Sequence, residues 1–429
     1  MLDIELFRTN LQQIIESEKK RFKDPAIAQM VYNLDVEYRT ITTELQQLSY
    51  EKNKINENIG NLMKQGKKQE ADKLKKEASD LSGKITLLST KEKTVLEKRE
   101  EDRYRVGNLL HESVPLGEGE ESNEIIRTVG KLPTFNFSPL SHVDLITLID
   151  GADTKKASEL VGSRFYYLKG DIVSLNLALI QYALSKMINK GFTPLWTPFF
   201  IKYDIIKAAA ELADFEEQLY KIQDEDLFMI ATSEQSLASF HYDEIIEPEQ
   251  LPIKYVGVSS CFRREAGSHG KDTLGIFRVH QFEKVEQFVF CSPEDSWNIF
   301  EELIQNAEEL YKELKIPYRI VNIASGELND NAAKKYDLEA WFPGSKTYRE
   351  VVSCSNCTDY QARKLKVRMG IVGSNQKKQV VHTLNSTAVA TERTICCILE
   401  NYQNKDHSVK IPEVLQKFMN GKKVINAIN

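Results

Sequence analysis

The sequence contains little cysteine and no long apolar run, and each absence excludes a class of protein. Only 6 Cys occur among 429 residues, too few for a fold held together by disulfides. No stretch approaches the roughly 18 consecutive apolar residues that a membrane-spanning helix requires, so no membrane partner is expected. The first residues, MLDIELFRTN, lack the basic and then apolar pattern of a secretory signal. We therefore expect a soluble, cytoplasmic protein with reduced thiols.

An excess of positive charge is also missing. The 57 Lys and Arg stand against 63 Asp and Glu, a net charge of -6, which argues against a generally basic nucleic-acid binder but leaves a local basic surface open. Neither the loop pattern G-x-x-x-x-G-K-[ST] nor a strand-linked G-x-G-x-x-G occurs, so the common nucleotide-loop folds find no support. The 19 Phe, 17 Tyr and 3 Trp must be buried, which excludes global disorder. The length allows roughly two or three domains.

Two apolar repeats dominate the first hundred residues. Their spacing alternates four and three, which is typical of a coiled-coil seam. The first repeat consists of Leu34, Tyr38, Ile41, Leu45, Leu48, Lys52, Ile55, Ile59 and Leu62, and the second of Ala71, Leu74, Ala78, Leu81, Ile85, Leu88, Glu92, Val95 and Arg99. Gly66 suits a turn between them. We predict an antiparallel coiled-coil arm with helices at about 30–62 and 68–105, inside an N-terminal domain of residues 1–115.

Lysines concentrate near the predicted tip of this arm. Lys64, Lys67 and Lys68 lie on either side of Gly66. Such a cluster is suited to phosphate contacts. A solvated helix surface, or a coiled coil that binds another protein, explains the same pattern.

The remainder of the chain has a different composition. Gly, Glu, Ser and Asn around residues 116–130 predict a linker. Residues 131–429 are rich in aromatic and β-branched residues, with helix and strand signals intermixed. We expect one large α/β or α+β domain there.

The first constellation of chemical interest has the pattern strand, long turn, strand. Ser260 to Glu265 would form the first strand and Ile276 to Phe288 the second. Alternation then places Arg263 and Glu265 on one face. The returning strand would present one face that carries Arg278, His280, Phe282, Lys284 and Glu286. This surface is suited to a phosphate, a carboxylate, a base and an ammonium, but a solvent-facing strand with cross-strand ion pairs predicts the same alternation.

A second constellation lies between Tyr348 and Asp359. Glu350 and Ser353 offer the hard oxygen atoms that Mg²⁺ prefers. Residues three apart in a regular strand face opposite ways, so joint ligation requires a bulge or the end of the strand. Cys354 and Cys357 form a C-x-x-C without a matching second pair, and we expect no zinc.

Two further segments contain candidate residues. Asn385, Ser386 and Thr387 follow a predicted strand and would cap a helix that carries Arg393 near its start. A buried capped helix with one surface Arg is the alternative interpretation. Alternation in a strand would place Thr232 and Glu234 on one face, where they could bind a small polar ligand or be ordinary strand surface.

In this order the segments resemble the signatures of the class II aminoacyl-tRNA synthetases, specifically the seryl-tRNA synthetase family. Lys190 to Pro198 resembles the first signature, a helix and strand with a proline at the dimer interface. Phe262 to Glu265 with the strand from Gly275 to Phe288 resembles the second, and Asn385 to Glu400 the third. The form Asn385-Ser386-Thr387, with Glu392 before Arg393, is similar to the eukaryotic cytosolic branch.

The resemblance implies a fold, a reaction and partners. It implies an α+β protein, with the coiled-coil arm joined to a catalytic domain in which helices flank an antiparallel sheet. It also implies a homodimer that uses ATP and Mg²⁺ to convert L-serine to seryl-adenylate and passes the seryl group to the 3′ end of the serine tRNA. Service of a selenocysteine tRNA is left open.

The resemblance also implies roles for individual residues. Catalysis is assigned to Arg263 and Arg393, Mg²⁺ binding to Glu350 and Ser353, and tRNA binding to Lys64, Lys67 and Lys68. The serine site comprises Thr232, Ser233, Glu234, Arg263, Glu286, Asn385 and Thr387. The ATP site comprises Arg263, Arg264, Glu265, Val279, His280, Gln281, Phe282, Glu350, Val351, Val352, Ser353 and Arg393.

Two other functions remain alternatives at this point. One is a related enzyme that activates an amino acid for another carrier; the tRNA-reading arm speaks against it. The other is a coiled-coil scaffold with a merely dimerising globular domain; the charged residues in signature positions speak against that.

Overall fold

The structure, a computed structural model, describes residues 1–209, 218–265, 274–374 and 378–428. The contacts divide the chain into two compact units, one of residues 2–107 and one of residues 108–429 together with Met1. No helix in the described ranges is long and apolar enough to cross a membrane.

The N-terminal unit is helical. Its helices are α1 (Ile4–Thr9), α2 (Leu11–Lys20), α3 (Ala26–Lys64) and α4 (Lys68–Tyr104). Helix α3 has 39 residues and is about 58 Å long at 1.5 Å per residue. Gly66 lies between α3 and α4 with φ +75°, a conformation that glycine adopts without the steric cost of a Cβ.

Helices α3 and α4 form the predicted antiparallel coiled coil. All seam positions are buried or half-buried, with Ile41, Ala71 and Val95 among the fully buried ones. Cross-helix pairs run in opposite directions along the two helices, because Asp35 pairs with Arg99 at 2.8 Å and, further along α3, the Thr42 hydroxyl donates to Glu92 at 2.6 Å. The heptad spacing therefore located both helices, within a few residues of the ends that the sequence indicated.

A buried ionic cluster lies where α1 meets the coiled coil. The fully buried Asp35 accepts hydrogen bonds from Arg8, Arg39 and Arg99 at 2.8–2.9 Å. Burial alone would raise the pKa of Asp35, but the hydrogen bonds from Arg8 and Arg39 and the charge of Arg99 lower it. Asp35 thus holds guanidinium groups from three helical segments together.

The C-terminal unit combines short and long helices with several sheets. Its helices are α5 (His142–Leu148), α6 (Thr154–Leu160), α7 (Asp171–Asn189), α8 (Tyr203–Ala209), α9 (Ser233–Ala238), α10 (Ser296–Glu313), α11 (Tyr360–Lys364), α12 (Thr391–Asn401) and α13 (Glu413–Gln416). Short 3-10 turns span Glu120–Ser122, Pro248–Gln250 and Lys417–Met419.

The longer strands of this unit build one large sheet. They are β1 (Glu124–Val129), β2 (Ala152–Asp153), β3 (Tyr167–Leu168), β4 (Thr193–Trp196), β5 (Phe200–Lys202), β6 (Leu227–Met229), β7 (Ile245–Ile246), β8 (Ile253–Phe262), β9 (Gln281–Cys291), β10 (Tyr318–Asn322), β11 (Lys334–Phe342), β12 (Thr347–Asn356), β13 (Arg368–Met369), β14 (Gln379–Val380), β15 (His382–Ala390), β16 (Val409–Lys410) and β17 (Val424–Ile425). Eight of them pair in the order β1-β10-β11-β12-β15-β9-β8-β4.

The large sheet is antiparallel except at one edge. Every neighbouring pair is antiparallel apart from β4 and β8. Its main core contains Leu179 of α7, Phe300 of α10 and Ile395 of α12 together with Leu338 and Leu384 of the sheet. The fold is therefore the predicted α+β arrangement of helices against an antiparallel sheet.

The segment predicted as a linker, residues 116–130, contains edge strand β1. Glu124 pairs with Asn322 and Val129 with Tyr318. The Gly- and Glu-rich composition predicted a linker, but pairing with β10 on one side, interrupted by a register shift at Ile126, makes residues 124–129 part of the sheet.

Candidate active site

A cavity of about 640 Å³ opens over the central strands of the large sheet. Strands β9, β12 and β15, the start of α9 and the segment after β8 contribute its walls. The predicted residues that line it are Thr232, Glu234, Arg263, Glu265, Glu286, Glu350, Ser353, Asn385, Thr387 and Arg393. Four separate sequence segments are thus brought to one concave surface, the usual form of a small-molecule site.

A second, smaller cavity of about 80 Å³ adjoins the first. The apolar side chains Phe277, Val279, Phe282, Val351 and Ala390 line it, and both cavities share Arg263 and Arg393. A recess with an apolar wall and arginines at its border is suited to a flat base that is attached to phosphates.

Strand β9 places Phe282, Lys284 and Glu286 along the two cavities. Phe282 borders the small cavity, Glu286 the large one, and Lys284 both. Their alternation in the sequence is the alternation of a strand face. This part of the first constellation is confirmed.

The rest of that constellation does not lie in a strand, so the predicted strand assignment of these residues is wrong. Strand β8 ends at Phe262 and β9 begins at Gln281. Arg278 and His280 therefore precede the strand, and Glu265 has φ +49°, so alternation does not relate Glu265 to Arg263. Arg278 nevertheless lines both cavities, and its guanidinium lies 3.9 Å from the Glu265 carboxylate.

Arg263 is held by backbone and ring contacts. Its Nε donates to the carbonyl of Ala231 at 3.2 Å, and its guanidinium lies 5.1 Å from the centre of the Phe282 ring. The Arg263 amide donates to the His280 carbonyl, and His280 Nδ1 lies 2.8 Å from the Arg263 carbonyl oxygen. These contacts fix the guanidinium where it borders both cavities.

A β-bulge in β12 brings Glu350 and Ser353 to the same face. Leu338 pairs with Val352 and Glu339 with Glu350, so Val351 is the extra residue. The bulge restores the alternation that a spacing of three would break. Both side chains line both cavities, as joint ligation of a metal requires.

Glu350 also pairs with Arg393. Their side chains approach to 3.2 Å, and Arg393 donates to the Glu350 carbonyl at 3.1 Å. Burial would raise the pKa of Glu350, but the charges of Arg393, Lys335 and Arg263 lower it. Glu350 is therefore kept as a carboxylate, the form that binds cations.

The prediction that Asn385, Ser386 and Thr387 cap a helix is wrong. They lie inside β15, and α12 begins only at Thr391. Residues with hydroxyl and amide side chains favour helix starts, but here the backbone of this segment pairs with β9 and β12 in the sheet instead. Arg393 does lie in the first turn of α12.

Strand β15 aims two of these residues at the cavity. Asn385 and Thr387 line it. Thr387 pairs with Glu286 across the sheet, and its hydroxyl donates to that carboxylate at 3.3 Å. Ala388 is an extra residue opposite β9, which shifts the register beyond this point.

The prediction of a strand at Thr232 and Glu234 is also wrong. Helix α9 begins at Ser233, and the Thr232 hydroxyl accepts from the Glu234 amide at 3.2 Å as its N-cap. Both side chains still line the cavity. Burial and the charge of Glu286 raise the pKa of Glu234 to about 7, against the lowering effects of Gln361, Lys284 and Arg263.

Some predicted residues do not line either cavity within the described ranges. Ser233 is fully buried beneath Gly257, and Val352 is buried in the sheet. Arg264 and Gln281 are exposed, and His280 acts on the site through its contact with Arg263. Val279 and Val351 line only the smaller cavity.

Sequence reasoning gave no role to several residues that the site contains. Lys284 forms a buried ion pair with Glu286 at 2.7 Å, and Gln361 donates to Glu234 at 2.7 Å. Lys335 lines the large cavity. The alternation with Phe282 and Glu286 was a signal for Lys284, whereas Gln361 lies on a separate short helix where no local pattern marks it.

The candidate tRNA-binding lysines belong to the other unit. Lys64, Lys67 and Lys68 are exposed at the turn between α3 and α4. Lys67 lies 3.9 Å from Glu70, and Lys75 is 2.7 Å from Asp72. Exposed charges of this kind are screened by salt.

The cysteines are all buried and free of disulfides. Within the described ranges, no group of three or more His, Cys, Asp or Glu is arranged to hold a metal ion. A cation at Glu350 and Ser353 would therefore take its other ligands from substrate and water, as Mg²⁺ commonly does.

Comparisons with known proteins cover both units. Residues 1–110 match the family described as Seryl-tRNA synthetase N-terminal domain. Residues 218–402 match the family described as tRNA synthetase class II core domain (G, H, P, S and T).

Individual relatives match over nearly the whole chain. A serine–tRNA ligase of Methanosphaera stadtmanae is 56% identical over 428 residues, with 100% of both chains covered. The cytoplasmic serine–tRNA ligase of Arabidopsis thaliana is 48% identical, with 98% of this chain and 95% of the relative covered. The similarity therefore extends to archaeal as well as eukaryotic proteins.

Solved structures give the same result. The seryl-tRNA synthetase of Pyrococcus horikoshii, complexed with ATP, superimposes with a TM-score of 0.94 at 44% identity over 100% of both chains. The cytoplasmic serine–tRNA ligase of Naegleria fowleri, in complex with AMP, gives a TM-score of 0.90 at 41% identity over 100% of this chain and 99% of that one.

Proposed function

The chain belongs to the seryl-tRNA synthetase family, and we propose from this membership how its two cavities activate serine. The family's activity, ATP-dependent ligation of serine to tRNA, is the activity of this chain. In the first step the serine carboxylate attacks the α-phosphorus of ATP, which forms seryl-adenylate and releases pyrophosphate. In the second step a hydroxyl of the terminal tRNA ribose attacks the seryl carbonyl, gives up its proton and releases AMP.

The first step needs charge neutralisation more than a base. The attacking carboxylate is already ionised, so catalysis rests on positioning the reactants and on stabilising phosphate charge. Arg263 borders both cavities and would bridge the serine carboxylate and the α-phosphate. Arg393, which also lines both cavities, would hold the distal phosphates.

The apolar wall of the small cavity would receive adenine. Phe282 offers a ring face there, with Val279 and Val351 as further walls. Glu265 lines the same cavity and would accept from the exocyclic amine. We propose direct ATP contacts for the cavity-lining members of the predicted set; the indirect role of His280 is to hold the Arg263 backbone.

The large cavity would receive serine. Glu286 and Thr232 would bind its ammonium, with Glu234 beside them. Thr387, with Asn385 on the same strand face, would hydrogen-bond the hydroxyl. A site with these polar groups discriminates against alanine, because they would be left unpaired without the substrate hydroxyl.

Glu350 and Ser353 are the proposed magnesium ligands. The bulge at Val351 gives them a shared face, and carboxylate and hydroxyl oxygens are the donors that Mg²⁺ prefers. When bound, the ion would neutralise phosphate charge. Arg393 keeps the Glu350 carboxylate ionised and oriented for that role.

The remaining proposals concern assembly and partners. Lys64, Lys67 and Lys68 would contact tRNA phosphates from the coiled coil. Exposed apolar residues on α7 and β4, including Leu177 at 54% and Trp196 at 77%, support a homodimer through the first signature. Relatives named cytoplasmic support a cytoplasmic location.

Serine-dependent exchange of pyrophosphate into ATP tests the proposal. We expect exchange with serine and far less with threonine, alanine or cysteine, followed by charging of serine tRNA. Exchange with alanine at the rate seen with serine would contradict the assignment of Thr387 and Asn385 to the substrate hydroxyl. Exchange without transfer to tRNA would favour a related enzyme that activates serine for another carrier.

A further inference from the structure

The serine site contains more negative charge than one substrate ammonium can balance. Glu234 and Glu286 both line the large cavity. Glu286 is 1% exposed, so solvent does not screen the repulsion between the two carboxylates. Serine brings one ammonium, and its own carboxylate is assigned to Arg263.

Lys284 supplies a second cation at this place. Its Nζ lies 2.7 Å from Glu286 Oε2, and the side chains are 8% and 2% exposed. It lies two residues before Glu286 in β9 and lines the same cavity. Arg263, the other cation acting on Glu234, is tied to the Ala231 carbonyl and the Phe282 ring.

We propose that Lys284 is a positioning residue for serine, because its ammonium offsets the negative charge of Glu234 and Glu286 where a single substrate ammonium binds beside them. This inference rests on the proposed function. With Lys284 in place, the two carboxylates face two ammonium groups in the occupied site. Without it, Glu234 would take up a proton more readily, and the substrate ammonium would lose an acceptor.

The electrostatics of Glu234 support this argument. Burial raises its pKa, and the charge of Glu286 raises it further, whereas the Gln361 hydrogen bond and the charges of Lys284 and Arg263 lower it. Loss of the Lys284 charge removes one of the two cations that lower the pKa of this carboxyl. Gln361 is neutral and fully buried, with bonds to the Ala209 carbonyl and the Thr383 hydroxyl, so it cannot supply the missing charge.

Substitution Lys284→Met tests the proposal with pyrophosphate exchange as the readout. We expect the KM for serine to rise about tenfold or more while the KM for ATP changes less than about twofold, because truncating one partner of a buried charge pair weakens what the other binds. Lys284→Arg retains the charge and should recover part of the affinity. Lys254→Met is the matched control, since Lys254 pairs with Glu302 at 2.6 Å and does not line either cavity in the described ranges.

The double variant Lys284→Met/Glu234→Gln separates charge balance from packing. Removing the Glu234 charge removes the need for the second cation, so its serine KM should be no worse than that of Lys284→Met alone. If Lys284→Met unfolds, Glu234→Gln should restore its melting temperature for the same reason. A double variant whose losses add, or one as unstable as the single variant, would contradict the proposal.

Three further outcomes distinguish a failure of the proposed role of Lys284 from a failure of the proposed function. A fall in kcat at unchanged serine KM would overturn the proposal, because Lys284 would then act on phosphate. If the unsubstituted enzyme is active and Lys284→Met has the same kinetic constants, the role of Lys284 would be overturned and the proposed function would stand. Absence of serine-dependent exchange in the unsubstituted enzyme would instead contradict the proposed function.

Discussion

The two units of this chain use charge in opposite ways. At the tip of the coiled coil, lysines are exposed, and their ion pairs join side chains three residues apart on the helix surface, such as Lys75 with Asp72. In the C-terminal cavity, charged groups are removed from water, and the pKa of Glu234 is raised to about 7 by burial and by Glu286. The same residue types therefore act as a screened, adaptable surface in one unit and as a selective site in the other.

The contrast does not hold for every charged residue of the N-terminal unit, because the base of the coiled coil also contains a buried ionic cluster. Asp35 there is as buried as any cavity carboxylate, yet it is surrounded by Arg8, Arg39 and Arg99. The partners of Asp35 all belong to the protein itself, whereas the cavity leaves Arg263 and Glu286 facing a space that a ligand can enter. A buried ionic cluster that the protein completes fixes structure, and one that borders an open cavity can bind substrate.

The largest effect should come from removing a cavity cation. Arg263→Ala should reduce serine-dependent pyrophosphate exchange by about a hundredfold or more, since transition-state charge loses a preorganised donor. Melting temperature and oligomeric state should be retained. Exchange near the unsubstituted level would refute the role of Arg263 and weaken the contrast between the units.

A large effect of another kind is expected at the base of the coiled coil. Asp35→Ala leaves the buried Arg99 without this carboxylate, and we expect a loss of about 3 kcal/mol in the free energy of unfolding. Denaturant titration of the full chain measures it. Arg39→Ala is the matched control, because Arg39 is half exposed, and its loss should cost about 1 kcal/mol or less.

The serine KM should depend on pH through Glu234. Its raised pKa of about 7 means that the carboxyl gains a proton as pH falls through neutrality, which removes an acceptor for the substrate ammonium. Serine KM should therefore rise from pH 8 to pH 6 by up to about tenfold per unit below the pKa. Glu234→Gln should flatten this profile; an unchanged profile would assign the titration to another group.

The smallest effect should come from the tip of the coiled coil. Replacing Lys64, Lys67 and Lys68 with Ala should weaken tRNA binding several-fold, and the salt slope should fall by about one for each phosphate that a lysine no longer neutralises. Pyrophosphate exchange should be unchanged. Equal loss of tRNA binding and exchange would contradict the separation of roles between the units.

The sequence predicted the coiled coil better than the cavity for a physical reason. A heptad seam is periodic, so Ile41 and Val95 signal their burial through local spacing alone. The cavity depends on departures from period: the bulges at Val351 and Ala388 and the positive φ of Glu265 are set by tertiary structure rather than by local spacing. Alternation therefore identified Phe282 and Glu286, but it assigned Arg278 and His280 to a strand that begins only after them.

The resemblance to a family nevertheless selected most of the residues that line the cavities. Thr232 and Asn385 were assigned to the wrong secondary structure, yet both line the cavity. The resemblance to a family identified them by their positions in its motifs, which do not depend on a correct helix or strand prediction. Gln361 and Lys335 were missed because their roles arise from tertiary contacts.

A crystal structure of the enzyme with a non-hydrolysable seryl-adenylate analogue would show whether the two cavities bind the adenylate as proposed. We expect the adenine against Phe282, the phosphate mimic at Arg263, and the seryl ammonium at Glu286 with the seryl hydroxyl at Thr387. An analogue bound elsewhere, or one whose amino acid end lies away from Glu286 and Thr387, would contradict it.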